Sequence, residues 1–498
     1  MRAFVLILLA SFLATTVASA AQPFNPITTD LPSAINSELP DLSSTASGLL
    51  DKQGQYQLGY SVMMQMRQHG ALFNDPETSE YVQQIGQRLA SQSTDGGGYY
   101  HYIVLRSDEL NSFAVTGGWV FVFTSMIAFT HSESELAAVM AHETAHIVQN
   151  HVLRGIEDQK NATLLSLAGM LGAILLGALG GGGGNAIEGG IVASQGLAAQ
   201  HEINFTRSEE EEADRVGMQF LAAAGFDPEA MGDIWVRMMQ AQSLQNSWVP
   251  AMLQDHPVDS VRIADARERA AQYPPVPDTS SPDYYLIRER VRVLTAPGDQ
   301  DTQRVYAQKI ANGDHSLATM YGDALALMQD NKASQAVPVL RKLIAQHGDL
   351  HLLYSALGQA QAKAGDMKDA LATFRLAMEL FPRNVPTTIR YAQTLMSDGK
   401  SAQAHDVLLD LFNNVEPTPD QIELTAQAAS AAGDLGDAYY YMGEYQIADG
   451  NLPLAARQYQ LALRTPHLTD VQRKRISARL REVRDYLASA RQQQHQSE

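Results

Sequence analysis

The sequence has 498 residues and no cysteine, with 36 Lys+Arg against 55 Asp+Glu and a formal net charge of −19. A disulfide framework, a thiolate metal site, an iron–sulfur cluster and a cysteine nucleophile are therefore excluded. The acidic balance argues against nucleic acid as a partner, because non-specific binding needs a basic surface. At 45% hydrophobic and only 18% charged, the chain is not broadly disordered, and its length predicts two to four domains.

In chain order, Met1-Arg2 precede an uncharged apolar run from Ala3 to Val17, followed by Ala18-Ser19-Ala20. That pattern predicts a secretory signal peptide cleaved after Ala20. Loss of Arg2 leaves −20 on an exported chain, most simply a periplasmic one. Residues 21–55 start in a Pro-, Ser- and Thr-rich stretch without helical period and are read as extended. Asp75-Pro76-Glu77 predicts a capped second helix. Tyr100–Leu105 and Gly118–Thr124 have strand composition. Ser132-Glu133-Ser134-Glu135 predicts a capping box for a helix running to about Leu153. Four prolines between Tyr273 and Pro282 mark a linker, beyond which the pattern is Ala-rich and helical. The expected boundaries are 1–20, 21–55, 56–272, 273–283, 284–490 and a frayed tail, 491–498.

The capped helix carries His142-Glu143-Thr144-Ala145-His146. Residues i and i+4 share a helix face, so both imidazoles reach one ion, with Glu143 placed to take a proton from water. A catalytic zinc site needs a third protein ligand and an open position. Candidates are His151, His201, the Glu209–Glu212 run and His256. Glu210 and Asp214 lie four apart, so one can ligate while the other orients a ligand histidine; spacing alone does not choose among the four glutamates. His151 follows His146 by five residues, off the face of the pair on a continuous helix, and is read as structural.

Arg207, Glu210, Ala213 and Asp214 fit R-x-x-E-x-x-A-D. Together with H-E-x-x-H and Asn111–Gly118, this resembles the zincin peptidase family that includes HtpX and the CAAX prenyl endopeptidases. The arrangement along the chain is similar to the exported, repeat-bearing branch of that family. The resemblance implies Zn2+, one per chain, on His142, His146 and Glu210, with Glu143 as general base and Asp214, one turn beyond Glu210, as the functional partner that holds the tautomer of a zinc-bound histidine. His256-Pro257 to Arg262-Ile263 is similar to the H-P-x-x-x-x-R-I segment of that branch. A neutral His256 would either fill the open zinc position or donate to the oxyanion. Gly118–Thr124 is the expected edge strand receiving an extended substrate.

Ala162–Gly180 is uncharged and is followed by Gly180–Gly184. Ligand residues precede and follow this insert, so a single membrane crossing would split the site. It is read as a buried helix or lid, and 162–184 as the expected place of peripheral membrane contact, since a chain of −20 has no basic surface to supply it.

A 34-residue period runs through the C-terminal half. The clearest unit starts at His351, with Tyr354, Leu357-Gly358, Gly365, Ala370, Phe374, Ala377 and Pro382. A last unit, shifted by half a period, gives Gly443, Gly450, Ala455, Tyr459, Ala462 and Pro466. Leu468–Leu487 is the expected capping helix, and Tyr439-Tyr440-Tyr441 are read as core. The fold class is thus mainly α: a zincin-type peptidase domain with a small β-sheet, then an all-α tetratricopeptide-repeat solenoid. The resemblance implies degradation of misfolded or misassembled envelope proteins, with repeats recruiting clients or outer-membrane assembly machinery and adding chaperone-like activity. The alternative is a non-proteolytic scaffold with a latent zincin domain.

Overall fold

The computed structural model describes residues 50–93, 100–157, 206–244, 249–277, 280–298 and 300–496. The signal-peptide reading, His201 and the 162–184 insert lie outside the described residues.

Asp51 caps α1 (Lys52–Gln68), and Asp75 caps α2 (Pro76–Ala90) by accepting the Thr78 N–H at 3.1 Å. Three short strands follow: β1 (His101–Leu105), β2 (Ser112–Val115) and β3 (Trp119–Phe123). Their order is β1-β3-β2, with β3 parallel to β1 and antiparallel to β2. The predicted edge strand is therefore corrected. β3 is central, buried at every position and paired on both sides, so it has no free edge to offer. The outer side of β1 is partly taken by the 71–73 segment, through Phe73 N–H to Val104 O and Arg106 N–H to Ala71 O. β2, which composition did not signal as a strand, lies at the other edge.

Next come α3 (Thr124–Phe129), α4 (Glu133–Val148) and α5 (His151–Glu157). Ser132 caps α4 through the Glu135 N–H at 3.1 Å, but the box is not reciprocal: Glu135 accepts the His131 N–H and pairs with Arg237. The helix stops at Val148 rather than near Leu153, because Asn150 adopts φ 55° and reverses the chain. After it come α6 (Arg207–Ala223), α7 (Ala230–Leu244), α8 (Ala251–Asp255) and α9 (Ser260–Ala270).

Beyond the proline segment, α10 (Pro282–Leu294) and α11 (Thr302–Ala311) lead into five helix pairs: α12 (Leu317–Gln329) with α13 (Ala333–Gln346), α14 (His351–Lys363) with α15 (Met367–Leu380), α16 (Val385–Ser397) with α17 (Ser401–Phe412), α18 (Pro419–Ala432) with α19 (Leu435–Ala448), and α20 (Leu452–Arg464) with α21 (Asp470–Gln496). The pairs start at Leu317, His351, Val385, Pro419 and Leu452, spacings of 34, 34, 34 and 33 residues, which is the periodicity of a tetratricopeptide array. Within the His351 pair a Cβ on Gly358 would come within 2.5 Å of the Phe374 ring. The half-period shift of the last unit has the same basis one helix later: a Cβ on Gly443 of α19 would come within 2.4 Å of Tyr459 of α20. Tyr440 and Tyr441 are fully buried. Gly358→Val is expected to overpack the α14–α15 contact by about 1–3 kcal/mol; a thermal melt that leaves the midpoint unchanged would refute the close-approach reading.

The two halves share one apolar core, which runs from Phe73 through Tyr284, Leu286 and Val291 of α10 into Ala356 and Ala360 of α14. The leading helices of three successive pairs also turn polar side chains toward α1 and α2. Ser355 of α14 and Arg390 of α16 meet Glu77, and Asp420 of α18 meets Arg67.

Candidate active site

The site is built on α4, every residue of which from Glu133 through His146 except Ser134 is buried. A carbon on Gly217 of α6 would stand only 3.0 Å from the backbone of Ala141 and His142. The absence of that carbon lets α6 lie directly against the H-E-x-x-H turn. The four glutamates of α6 then separate by helix angle. Glu209 closes a capping box with Thr206, Glu211 pairs with Arg207 at 3.0 Å, and Glu212 faces His151 and Arg154. Glu210 alone turns fully inward, to 1% exposure.

Four side chains converge there: His142, His146, Glu210 and His256, whose donor atoms all lie within 4.8 Å of one another. His146 Nε2 is 3.1 Å from His142 Nε2, and His256 Nδ1 is 3.3 Å from His142 Nε2 and 2.8 Å from Glu210 Oε1. Glu210 carboxylate oxygens stand 3.5 Å from His142 and 3.4 Å from His146. Such spacings are close to the ~3.3 Å edges of a tetrahedron with metal–nitrogen bonds of about 2.0–2.1 Å. Charge agrees as well. Among the described residues, Glu143, Glu210 and Asp214 are buried with Arg262 as the one guanidinium or ammonium that pairs with them, a formal −2 in the state that ligation requires, with carboxylates ionised and imidazoles neutral. A divalent cation on this nitrogen and oxygen donor set would cancel it. The residues therefore fit a metal of the zinc type.

Around the donors sits a layer of supports. Asp214 Oδ1 is 3.0 Å from His142 Nδ1, the nitrogen turned away from the cluster, and it also accepts from Trp235 Nε1 at 3.3 Å. Arg262 spans both carboxylates, at 2.5 Å and 2.9 Å from Asp214 and 2.7 Å from Glu210, while lying over the Trp235 ring. Arg262 belongs to the H-P-x-x-x-x-R-I segment, which by itself assigns it no role. The signal was there in principle, since a buried arginine must find carboxylates. On a continuous helix His151 would lie off the face of the His142–His146 pair. The Asn150 reversal brings its Nδ1 to 2.9 Å from His146 Nδ1, with its Nε2 facing Glu212 at 3.5 Å.

Burial alone would depress the His142 imidazole, but its Asp214 and Glu210 partners raise it to about 9. Burial takes His146 well below its ordinary value. Against burial, Arg262 and His142 hold Asp214 down at about 2, and His256, His142 and His146 hold Glu210 well below the usual carboxylate range. Glu143 is pushed up to about 7, chiefly by burial. Its Oε1 accepts no hydrogen bond among the described residues, and His256 Nε2 is 3.7 Å away.

His256 reaches the cluster from the C-cap of α8. That short helix is tied to the sheet edge by Met252 N–H to Leu110 O at 3.0 Å and by Asn111 Nδ2 to Asp255 Oδ2 at 2.9 Å. By contrast His101 stacks on Trp119 with centroids 4.3 Å apart, as part of an aromatic cluster on α1 and the sheet.

The profile of peptidase family M48 matches residues 76–270, from the start of α2 to the end of α9. Over 453 residues the chain is 31% identical to the beta-barrel assembly-enhancing protease of Escherichia coli, covering 90% of this chain and 91% of that one. It is 30% identical over 451 residues to the protein of the same name from Yersinia pestis, covering 90% and 91%. A mitochondrial metalloendopeptidase of Schizosaccharomyces pombe is 31% identical over 199 residues, 38% of this chain and 52% of that protein. Likeness of this degree along nine-tenths of the sequence, with the family profile falling on the helices that meet at His142, leaves one conclusion: the chain belongs to peptidase family M48 and is a metalloendopeptidase.

Proposed function

We propose that the protein is a zinc-dependent endopeptidase of the periplasm that degrades misfolded or misassembled outer-membrane proteins, with residues 56–272 as the catalytic unit and the repeats of 284–490 recruiting clients. The carrying observation is the buried convergence of His142, His146 and Glu210 beside a Glu143 carboxylate with an unbonded oxygen. The envelope setting is supported by the N-terminal signal pattern and by relatives named for β-barrel assembly. A nitrogen and carboxylate donor set, without sulfur, suits zinc in a hydrolytic site.

In this reading His142, His146 and Glu210 hold the ion, which when bound supplies Lewis acidity toward the scissile carbonyl and acidifies water. Glu143 takes the proton of the attacking water at its free Oε1 and returns it to the leaving amine. Asp214 fixes the His142 ring through Nδ1, and His151 does the same for His146. Arg262 keeps Glu210 and Asp214 ionised and immobile. An extended substrate pairs with β2 rather than β3, because β2 is the sheet edge and packs beside α4. Such pairing reads backbone more than side chains, which suits unfolded clients.

His256 stands where a catalytic site keeps an open position. Its segment is hydrogen-bonded to the residues entering β2, so a peptide laid along that edge meets the same loop. The geometry favours a resting enzyme restrained by His256. His256→Ala is expected to raise cleavage of an unfolded outer-membrane protein at least several-fold, with zinc retained. Loss of cleavage with zinc still bound would instead make His256 an oxyanion donor. Loss of zinc would make it a needed ligand.

A further inference from the structure

The global charge of −19 conceals an opposite end. Residues 451–498 carry nine Lys+Arg against four Asp+Glu, a formal +5, which leaves −24 on the other 450 residues. The structure sorts these cations by face. On α21, Arg475 and Arg479 turn inward with Ile476, Leu480 and Val483, and pair with Asp437 at 2.6 Å and Glu444 at 3.0 Å. Arg473, Lys474, Arg481 and Arg484 face solvent and make no side-chain hydrogen bond or ion pair among the described residues. At about 100° per residue these four fall within an arc of roughly 100° and span about 17 Å along the helix. Arg457 and Arg464 of α20 are exposed as well. Of the acidic residues on α21, Glu482 is engaged with Arg479, leaving Asp470 and Asp485 on the exposed side.

We infer that the outer face of α21 is a docking surface for anionic lipid headgroups. The stripe lies on the outer face of α21, whose main packing among the described residues is against α20 and α19. A convex row of separated cations matches a plane of phosphates, whereas an extended peptide needs a groove or a sheet edge. Arginine provides three of the four positions, and its planar fork suits phosphate oxygens. Val471, 72% exposed, stands on the first turn of the same helix, where an apolar side chain can enter the headgroup layer. The remaining −24 repels an anionic surface, so docking is oriented: the molecule meets the membrane with its last helix.

The test is co-sedimentation of the full chain with vesicles of phosphatidylcholine alone and with one-quarter phosphatidylglycerol. Binding is expected only to the anionic vesicles and only at low salt, because about 0.5 M salt screens contacts beyond a few ångströms. Each cation removed should weaken binding roughly five-fold, so R473Q/K474Q/R481Q/R484Q together should lose binding by a factor of hundreds. The variant removes no side-chain hydrogen bond or ion pair among the described residues, and its thermal midpoint should match the parent. Exchanging the three arginines for lysine should retain most of the binding. Equal binding by the four-fold variant, or none by the parent at low salt, overturns the inference. Salt-sensitive capture of an acidic protein through these residues, without vesicle binding, also overturns it.

Discussion

Replacing Glu143 by glutamine is expected to lower peptide-bond hydrolysis by at least 10²- to 10⁴-fold, the usual contribution of a positioned general base, or about 3–5 kcal/mol of barrier. Glutamine keeps the shape of the side chain and removes only its basicity. Glu143 stands outside the set formed by His142, His146, Glu210 and His256, and its Oε1 makes no hydrogen bond among the described residues that could be broken. The variant should therefore fold, keep its metal as measured by elemental analysis, and fail only in catalysis. His146→Ala should fail in both respects, since it removes a donor and strands the His151 ring 2.9 Å from its lost partner. The contrast separates the two functional readings. A scaffold with a latent peptidase domain would act on clients equally well as parent or as Glu143→Gln, with no cleavage in either. Undiminished hydrolysis by Glu143→Gln would remove the assignment of the base altogether.

What the sequence revealed of this site, and what it hid, follows from the range of the interactions. The His142–His146 pair and the caps at Asp75 and Ser132 are local, with partners within four residues, and are legible from spacing. The 34-residue period is legible because each helix pair repeats the same small-against-large contact, as at Gly358 and Phe374. The choice of Glu210 among four glutamates depends on how α6 is rotated against α4, and Gly217 decides that through a contact with Ala141 and His142, about 75 residues earlier. Resemblance to the family supplied what spacing left open. The Asn150 reversal and the central place of β3 were missed for different reasons. A single residue at φ 55° leaves the surrounding composition helical. A four-residue strand such as β2 is too short to show alternation. Its absence from the reading made β3 look like an edge.

An ion cluster that joins the two halves beside their shared core was equally invisible, and breaking it should produce a large loss of stability. Asp75 and Glu77 were legible only as the start of a capped helix. Folded, they face Arg290 of α10 and Arg390 of α16, with Arg290 2.6 Å from Asp75 and 3.1 Å from Glu77, and Arg390 2.7 Å from Glu77 and 2.9 Å from Asp75. Ser355 adds a 2.7 Å hydrogen bond to Glu77 from the intervening α14. Two carboxylates balance two guanidiniums, and Asp75, Glu77 and Arg290 are all below 5% exposed. Glu77→Ala leaves cationic charge unbalanced in that interior, a change that costs about 3–5 kcal/mol for a buried pair. The expected result is a lowered melting midpoint, with earlier hydrogen exchange in α14 and α16 than in α4. Arg390→Ala should cost less, because Arg390 is partly exposed and water can reach the carboxylates through the space it leaves. Burial pushes the Glu77 carboxyl up, but Arg290 and Arg390 outweigh it and hold the group far below its ordinary value. A carboxyl with a depressed folded value stabilises the fold above its unfolded value and loses that contribution as pH falls toward the folded one. The parent should therefore keep its halves together at neutral pH and lose stability progressively below the usual carboxylate range. Glu77→Gln, which retains an acceptor for Ser355 but has no charge to titrate, should show a flatter acid limb. An identical acid limb in parent and Glu77→Gln, or unchanged exchange in α16 of Glu77→Ala, would show that the apolar core around Tyr284 and Leu286, and not this ion cluster, joins the repeats to the peptidase.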